Sequence, residues 1–353
     1  MVLSHHISLY NRAMLHRLRR RAPLVVFLVL LAVSASYATY WFTAARSVED
    51  GIAAWIEARR KEGYTVERRD LEIGGFPFRL TAEVTGVAIG RANGSMRQRW
   101  QTERLVAAAR PWDLDHIVVT LPPEQRYAER RDDGDERTVT VRTGRGSAAI
   151  RLRRGAIARL DLFASDVAVV APEGDLAAAR IAARGARTEN GGLDVSFAID
   201  DLKLPPRFDR GLGRDLAELK AEAKIAAPLP SGADAAALAA WSKAGGAIEV
   251  TALHLRWGDL ALNGDGTLAL DDQLRPLAAM SVTIRGYGSV LRMLADEGRM
   301  DANDASFATT MLNLMARHNA AGAKVLRVPL TAQNGTLYLG PLALFRLSPV
   351  VAR

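Results

Sequence analysis

The stretch Phe76-Pro77-Phe78-Arg79-Leu80-Thr81-Ala82-Glu83-Val84-Thr85 alternates between two kinds of residue without a slip. Phe76, Phe78, Leu80, Ala82 and Val84 share one parity, while Pro77, Arg79, Thr81, Glu83 and Thr85 share the other. A period of two is that of a strand with one dry and one wet side. Pro77 has no N–H for a ladder, which assigns it to a sheet edge or a strand start. Just upstream, Leu71 and Ile73 occupy the opposite parity, so Gly74-Gly75 is read as a turn or bulge that shifts the register.

The same grammar recurs toward the C-terminus. Val139/Val141, Ile150/Leu152, Leu160/Leu162, Val167/Val169 and Leu193 to Ile199 give further runs, as do Leu253/Leu255/Trp257, Val282/Ile284 and Leu326/Val328/Leu330. Leu260/Leu262 and Leu268/Leu270 flank Asn263-Gly264-Asp265-Gly266, and Asn334-Gly335 precedes Leu337 and Leu339. Asn-Gly and Asp-Gly supply the positive φ angles of two-residue turns, so the first stretch is read as a hairpin, the strongest such signal in the chain, and Asn334-Gly335 as a turn. Helical spacing is confined to 233–244, 288–297 and 303–320. In the last of these, Phe307, Met311, Leu314 and Met315 form the expected apolar stripe, Asn303 or Asp304 the cap, and the methionines core filler.

Working back toward the N-terminus, the period becomes helical before Tyr64. Val48, Ile52, Trp55 and Ile56 make one stripe of an amphipathic helix over 47–62, closed by Arg59, Arg60, Lys61 and Gly63. It is expected to pack on the domain it introduces, with a helix lying on the lipid surface as the alternative. Before it runs an uncharged, mostly apolar segment, Ala22 to Ala45, behind the basic cluster Arg12, Arg17, Arg19, Arg20 and Arg21. About 20 helical residues cross a bilayer core, and cationic flanks stay cytoplasmic. The expected division is a cytoplasmic basic segment (1–21), a transmembrane signal anchor (22–45) and a periplasmic β-rich domain (46–353). A cleavable signal peptide is the alternative, since Ser34, Ser36 and Ala38 offer small-x-small sites. The run Tyr37, Tyr40, Trp41 and Phe42 favours the anchor, because it matches an aromatic belt at the outer interface.

Composition narrows the chemistry. The chain has no cysteine, which excludes disulfides, thiolate metal sites and cysteine nucleophiles. The formal charge of +8 falls to +3 once the N-terminal cluster is set aside, and no basic run interleaved with aromatics follows, so no nucleic-acid partner is expected. RYAERRDDGDER, from Arg126 to Arg137 behind Pro122-Pro123, reads as a solvated loop or hairpin tip. Pro205-Pro206 and the Pro228 to Gly232 stretch are interruptions too short to divide the domain. His116, His254 and His318 are scattered, and His254 belongs to the wet face of its strand. Asp265, Asp271 and Asp272 lack the spacing and closing glutamate of a calcium loop and are explained by turn chemistry. Neither G-x-S-x-G nor G-x-x-x-x-G-K occurs, and Gly211-Leu212-Gly213 and Gly286-Tyr287-Gly288 lack a third glycine. No enzyme is expected, and no catalytic, cofactor-binding or metal residues are assigned.

Gly74 to Leu80, Leu255-Arg256-Trp257-Gly258 with Leu262 to Asp271, and Asn334 to Pro341 together resemble the uncharacterised bacterial envelope family DUF2125. That resemblance specifies a family and transfers no catalytic residue. The G-x-G-x-L-x-L-D pattern also resembles AsmA-like proteins. Those are anchored by an N-terminal helix, extend a curved sheet into the periplasm and are associated with holding or moving phospholipid. The expected fold is therefore mainly β (α+β), with an N-terminal transmembrane helix, an elongated curved antiparallel sheet and a few covering helices. The expected role is that of a bacterial inner-membrane protein binding phospholipid or assisting its traffic through an apolar sheet face. Phe76, Phe78, Leu80 and Trp257 are its candidate residues. A structural or interaction module docking on another envelope protein is the alternative, and whether the dry face is a closed core or an open groove is the question the fold must answer.

Overall fold

The computed structural model describes residues 6–93, 96–131, 134–209, 211–226, 234–318 and 324–351, with side chains from residue 26 onward except at 93. It is mostly antiparallel sheet, 56% strand, in one large curved sheet with a long N-terminal helix. That helix, α1 (His6–Lys61), runs 56 residues without a break, or about 84 Å at 1.5 Å per residue. The anchor and the amphipathic helix expected from sequence are thus a single rod. Its buried stripe is Trp41, Ala44, Ala45 and Ile56, with Val48 and Ile52 half-buried, whereas Trp55 stays 48% exposed. The C-terminal part of α1 packs on the sheet, as expected, against β1 (Tyr64–Glu67) and β2 (Asp70–Gly74).

Both short strands pair with the long β3 (Leu80–Asn93). β4 (Met96–Arg110) follows, and then a broken line made by β5 (Asp113–Thr120) and β6 (Glu124–Arg131), both of which pair with β4 on one side and β7 (Glu136–Arg153) on the other. Pro122-Pro123 sits in the break, where two missing N–H donors cost no ladder bonds. The charge run is mostly strand, so of its two readings the hairpin tip holds, near Gly134. From β7 the chain meanders through β8 (Ala156–Val170), β9 (Leu176–Arg187), β10 (Leu193–Lys203), β11 (Asp215–Ile225), β12 (Ile248–Trp257), β13 (Leu260–Leu270) and β14 (Pro276–Arg285). Each strand pairs antiparallel with the next. Several short runs merge in this way: Val139/Val141 and Ile150/Leu152 are one strand of 18 residues.

Among the described residues, three α-helices interrupt the meander. α2 (Ala235–Lys243), capped by the Asp234 side chain, lies between β11 and β12. After β14 come α3 (Tyr287–Asp296) and α4 (Ala302–Met315). The short β15 (Arg317–His318) then pairs with β16 (Lys324–Gln333), which lies beside β14 and is followed by β17 (Thr336–Leu339) and β18 (Leu342–Arg346). The Pro228 to Gly232 stretch and the end of the helix expected over 303–320 reach outside the described residues.

The main buried core lies under α3 and α4, where Leu291, Ala305, Ala308 and Leu312 meet Met280, Val282, Ile284, Leu326 and Val328. This corrects the reading of α4. Its cap is Asp301, one of its buried residues is Leu312, and the stripe picked from sequence is on the outside: Phe307 is 64% and Leu314 83% exposed. Met311 and Met315 are also exposed and fill no core.

The turn expected at Asn334-Gly335 is the tip of a two-residue hairpin, with Gln333 paired to Thr336 and φ angles of 52° and 70°. Asn263-Gly264-Asp265-Gly266 is not a hairpin. It lies inside β13, with Gly264 opposite Val282 and Gly266 opposite Met280. A Cβ at Gly264 would stand 2.8 Å from the Ser281 carbonyl oxygen, and one at Gly266 would strike the Ala279 carbonyl and the Met280 Cα. These glycines admit a neighbouring backbone beside a bulge in β12 between Val250 and Leu253. Gly266→Val is therefore expected to destabilise the protein by roughly 1–3 kcal/mol or more. A melting temperature unchanged by that substitution would contradict the strand assignment.

Beyond β13, Asp271 organises the turn to β14. Its carboxylate accepts from the backbone N–H of Gln273 at 2.9 Å and of Arg275 at 2.8 Å, and from Arg275 Nε at 2.7 Å. Burial works to raise its pKa, but these bonds outweigh burial and hold it below the ordinary carboxylate value. A carboxyl depressed in the folded state stabilises above its unfolded pKa, about 3.9, and loses that contribution as pH falls through the folded value. The melting-temperature gap between wild type and Asp271→Asn is expected to narrow as pH drops from neutrality toward about 3. A constant gap would contradict this role.

Candidate functional site

Following register from strand to strand traces one apolar face across the whole sheet. Ala82 stands opposite Ala107, then Val119, Ala148, Leu162, Ala183, Phe197, Ala221, Leu253, Gly264, Val282 and Val328. A parallel row starts at Leu80 and passes through Ala109, Ile117, Ile150, Leu160, Gly185, Val195, Ala223, Val250, Gly266, Met280, Leu330 and Leu339. Each strand contributes alternate residues, so a side chain on this face has apolar neighbours in both directions.

Helices cover this face at its two ends. At the β3 end, Trp41, Ala44 and Ala45 of α1 close over Leu80. At the β14 end, α3 and α4 close over Met280, Val282 and Val328. Between them, from β4 to β11, the rows join neither buried core, and Leu160 and Phe197 remain 37% and 38% exposed. That middle span measures roughly 29 Å across at about 4.8 Å between strands.

The reverse face has the opposite chemistry. Arg104 pairs with Glu83, Arg99 with Glu67, Arg180 with Asp200, and Arg159 and Arg184 converge on Asp161. The Arg159 guanidinium holds the Asp161 carboxyl below its ordinary pKa against the opposing effect of burial, and Arg184 adds to the lowering. Exposed pairs of this kind add little stability, but they keep the face wet around its exposed apolar residues, Val118 and Phe163. His254 lies on this side as expected, its Nδ1 2.6 Å from Asn263 Oδ1, beside a depression that also touches Asp265, Thr283 and Arg327. Among the described residues no three of His, Asp and Glu gather closely enough to hold a metal ion.

The four candidate residues do not form one site. Leu80 is buried beneath Trp41, at the start of an apolar row. Phe76 and Phe78 precede the strand rather than belong to it, in the turn joining β2 to β3. Gly75 opens that turn at φ 98°, and Arg79 N–H closes it on the Gly75 carbonyl at 2.9 Å. Phe76 stacks on Phe42 at 5.9 Å between ring centres and meets Trp41 edge-on at 5.5 Å. Phe78 is 70% exposed. Trp257 lies at the far end of β12 and packs against the other core, its Nε1 donating to the Gly213 carbonyl at 2.8 Å.

Around Phe76 is a collar that the strand reading missed. Trp41 Nε1 donates to the Arg79 carbonyl at 3.0 Å, Tyr37 donates to the Pro77 carbonyl, and Tyr40 donates to the Pro111 carbonyl. The aromatic run of α1 is thus bonded into both sheet-end turns, of which the second carries Trp112, 60% exposed. The parity switch between Ile73 and Ala82 was the available signal for the first turn. Pro111-Trp112 carried no comparable signal.

Residues 41–347 match the family described as "Uncharacterized protein conserved in bacteria" (DUF2125). No curated protein matches the sequence.

Proposed function

The chain belongs to the uncharacterised bacterial family DUF2125, and on that premise we propose that it is a non-enzymatic envelope protein that holds phospholipid acyl chains on its open apolar sheet face or assists their traffic. Residues 26–61 of α1 contain a window of mean hydropathy 1.6, long and apolar enough to cross a membrane. In this reading α1 is an uncleaved inner-membrane anchor and the sheet stands in the periplasm. Retention of the helix is supported by the bonds from Tyr37, Tyr40 and Trp41 to the sheet, which processing near Ser36 or Ala38 would sever or leave frayed.

The carrying observation is the unbroken double row of apolar residues whose middle is covered by neither helix pack. Large apolar surfaces of this kind mark binding sites. At about 0.8 kcal/mol per buried methylene, a chain of even moderate length laid along the rows would be held usefully. Purified full-length protein is expected to carry phospholipid detectable by mass spectrometry after extraction. Leu160→Asp with Phe197→Asp should remove most of it, because a carboxylate on this face penalises any acyl chain lying there. Equal lipid in both preparations would refute the reading.

A second reading, docking on another envelope protein, draws on α4, whose outer side exposes Phe307, Met311 and Leu314 at helical spacing. Photo-crosslinking from Leu314 in membranes would then trap a discrete protein band, and no band would count against it.

A further inference from the structure

We propose that the sheet end beside α1 is seated in the membrane, with the Phe78 and Trp112 side chains inserted among the headgroups and upper acyl chains of the leaflet facing the sheet. The proposal rests on the reading that α1 spans the bilayer, and it assigns to that membrane a second, separate contact.

The helix sets the depth. In a bilayer core spanned by about 20 helical residues, the C-terminal end of the apolar segment from Ala22 to Ala45 falls at the interface, and Tyr37, Tyr40, Trp41 and Phe42 lie there. The turn between β2 and β3 is tied to this stretch at two heights, with the Arg79 carbonyl at Trp41 and the Pro77 carbonyl at Tyr37. From Trp41 back to Tyr37 the helix descends about 6 Å toward the membrane centre. The Phe76-Pro77-Phe78 tip therefore points down the helix into the bilayer, within the roughly 5–10 Å depth that interfacial apolar groups occupy. The second turn is held at the same level by Tyr40 on the Pro111 carbonyl, next to Trp112.

The exposures agree with that placement. Phe78 is 70%, Trp112 60% and Phe76 50% exposed, although Trp41 beside them is buried. Aromatic rings left open to water at membrane height lose apolar burial that the interface supplies. Arg79 and Arg110, both exposed, flank the two turns, and the pairing of Leu80 with Ala109 sets them side by side at the sheet end. Phosphate headgroups suit such a pair of guanidinium groups. The partner is therefore a phospholipid surface.

Because the chain contains no cysteine, single labels can be placed cleanly. Full-length Phe78→Cys, Trp112→Cys, Val33→Cys and Lys203→Cys would each carry an environment-sensitive fluorophore in phosphatidylethanolamine–phosphatidylglycerol vesicles. Quenching would be read with lipids spin-labelled at shallow or deep positions. Val33 reports the helix, and Lys203 is an exposed control at the opposite end of β10 from the row that continues Leu80. The expected result is deep quenching at Val33, and shallow quenching at Phe78 and Trp112 several-fold above that at Lys203. If Val33 is quenched deeply while Phe78 and Trp112 behave like Lys203, the seat is overturned and the spanning helix stands. If Val33 is not quenched, the spanning reading fails and the seat fails with it.

Discussion

Leu312→Ala is expected to destabilise the protein by about 2–5 kcal/mol, whereas Leu314→Ala, two residues further along the same helix, should change stability by less than about 0.5 kcal/mol. Leu312 is fully buried against Leu326 and Leu291 in the core under α3 and α4, while Leu314 is 83% exposed. Deleting three carbons at the first site removes their transfer free energy and leaves a cavity that the rigid sheet cannot close. At the second site it removes atoms already in water. Thermal unfolding of the two variants in the same detergent checks this. Similar losses for both would mean that α4 is rotated and that the stripe Phe307, Met311, Leu314 faces inward after all.

The second large effect is expected at Trp41. Trp41→Ala should cost roughly 3–5 kcal/mol in the docking of α1 on the sheet, the range for deleting a buried large aromatic. Trp41 is 4% exposed, covers Leu80, meets Phe42 and Phe76 edge-on, and donates to the Arg79 carbonyl. Losing it leaves that carbonyl without its donor as well as opening a hole. The damage should be local, because the core under α3 and α4 shares no residue with this one. Hydrogen exchange is expected to rise sharply over residues 44–61 and 64–74 and to stay unchanged over 280–332. A uniform rise would show that the two ends unfold together.

The alternating runs marked β3, β7, β8, β10, β12, β13, β14, β16 and β17 but gave no reading of β4, β5, β9 or β11, and the parity of those runs carried more information than the turn residues did. In a two-residue hairpin the residues of one face change parity across the turn. Leu330 and Leu337 do so around Asn334-Gly335, and that hairpin forms. Leu262 and Leu268 share parity across Asn263-Gly264-Asp265-Gly266, so a two-residue turn there would have sent them to opposite faces. The chain instead stays straight, with Gly264 and Gly266 keeping the apolar beat without side chains. Ile73 and Ala82 change parity, which centres the turn on Pro77 and Phe78 and takes Phe76 and Phe78 off the sheet face.

Other features lay beyond local pattern. The aromatic collar depends on Pro111 and Pro77 meeting one helix, which links residues 40 and 111, and no local period encodes such a contact. In α4, large residues on one side and Ala305, Ala308 and Leu312 on the other offered two stripes. The sheet accepted the side with small residues because its own Met280, Val282 and Val328 already fill the space. The open middle of the apolar face could be seen only once both helix packs had been located.

Site-specific photo-crosslinking in growing bacteria tests the account most directly. With a photoreactive amino acid at Leu160 or Phe197, irradiation is expected to join the protein to phosphate-labelled lipid. With the same group at Ser196, adjacent in sequence but on the wet face, it should not. Equal labelling at Phe197 and Ser196, or none at Leu160 and Phe197, would contradict an acyl-binding sheet face.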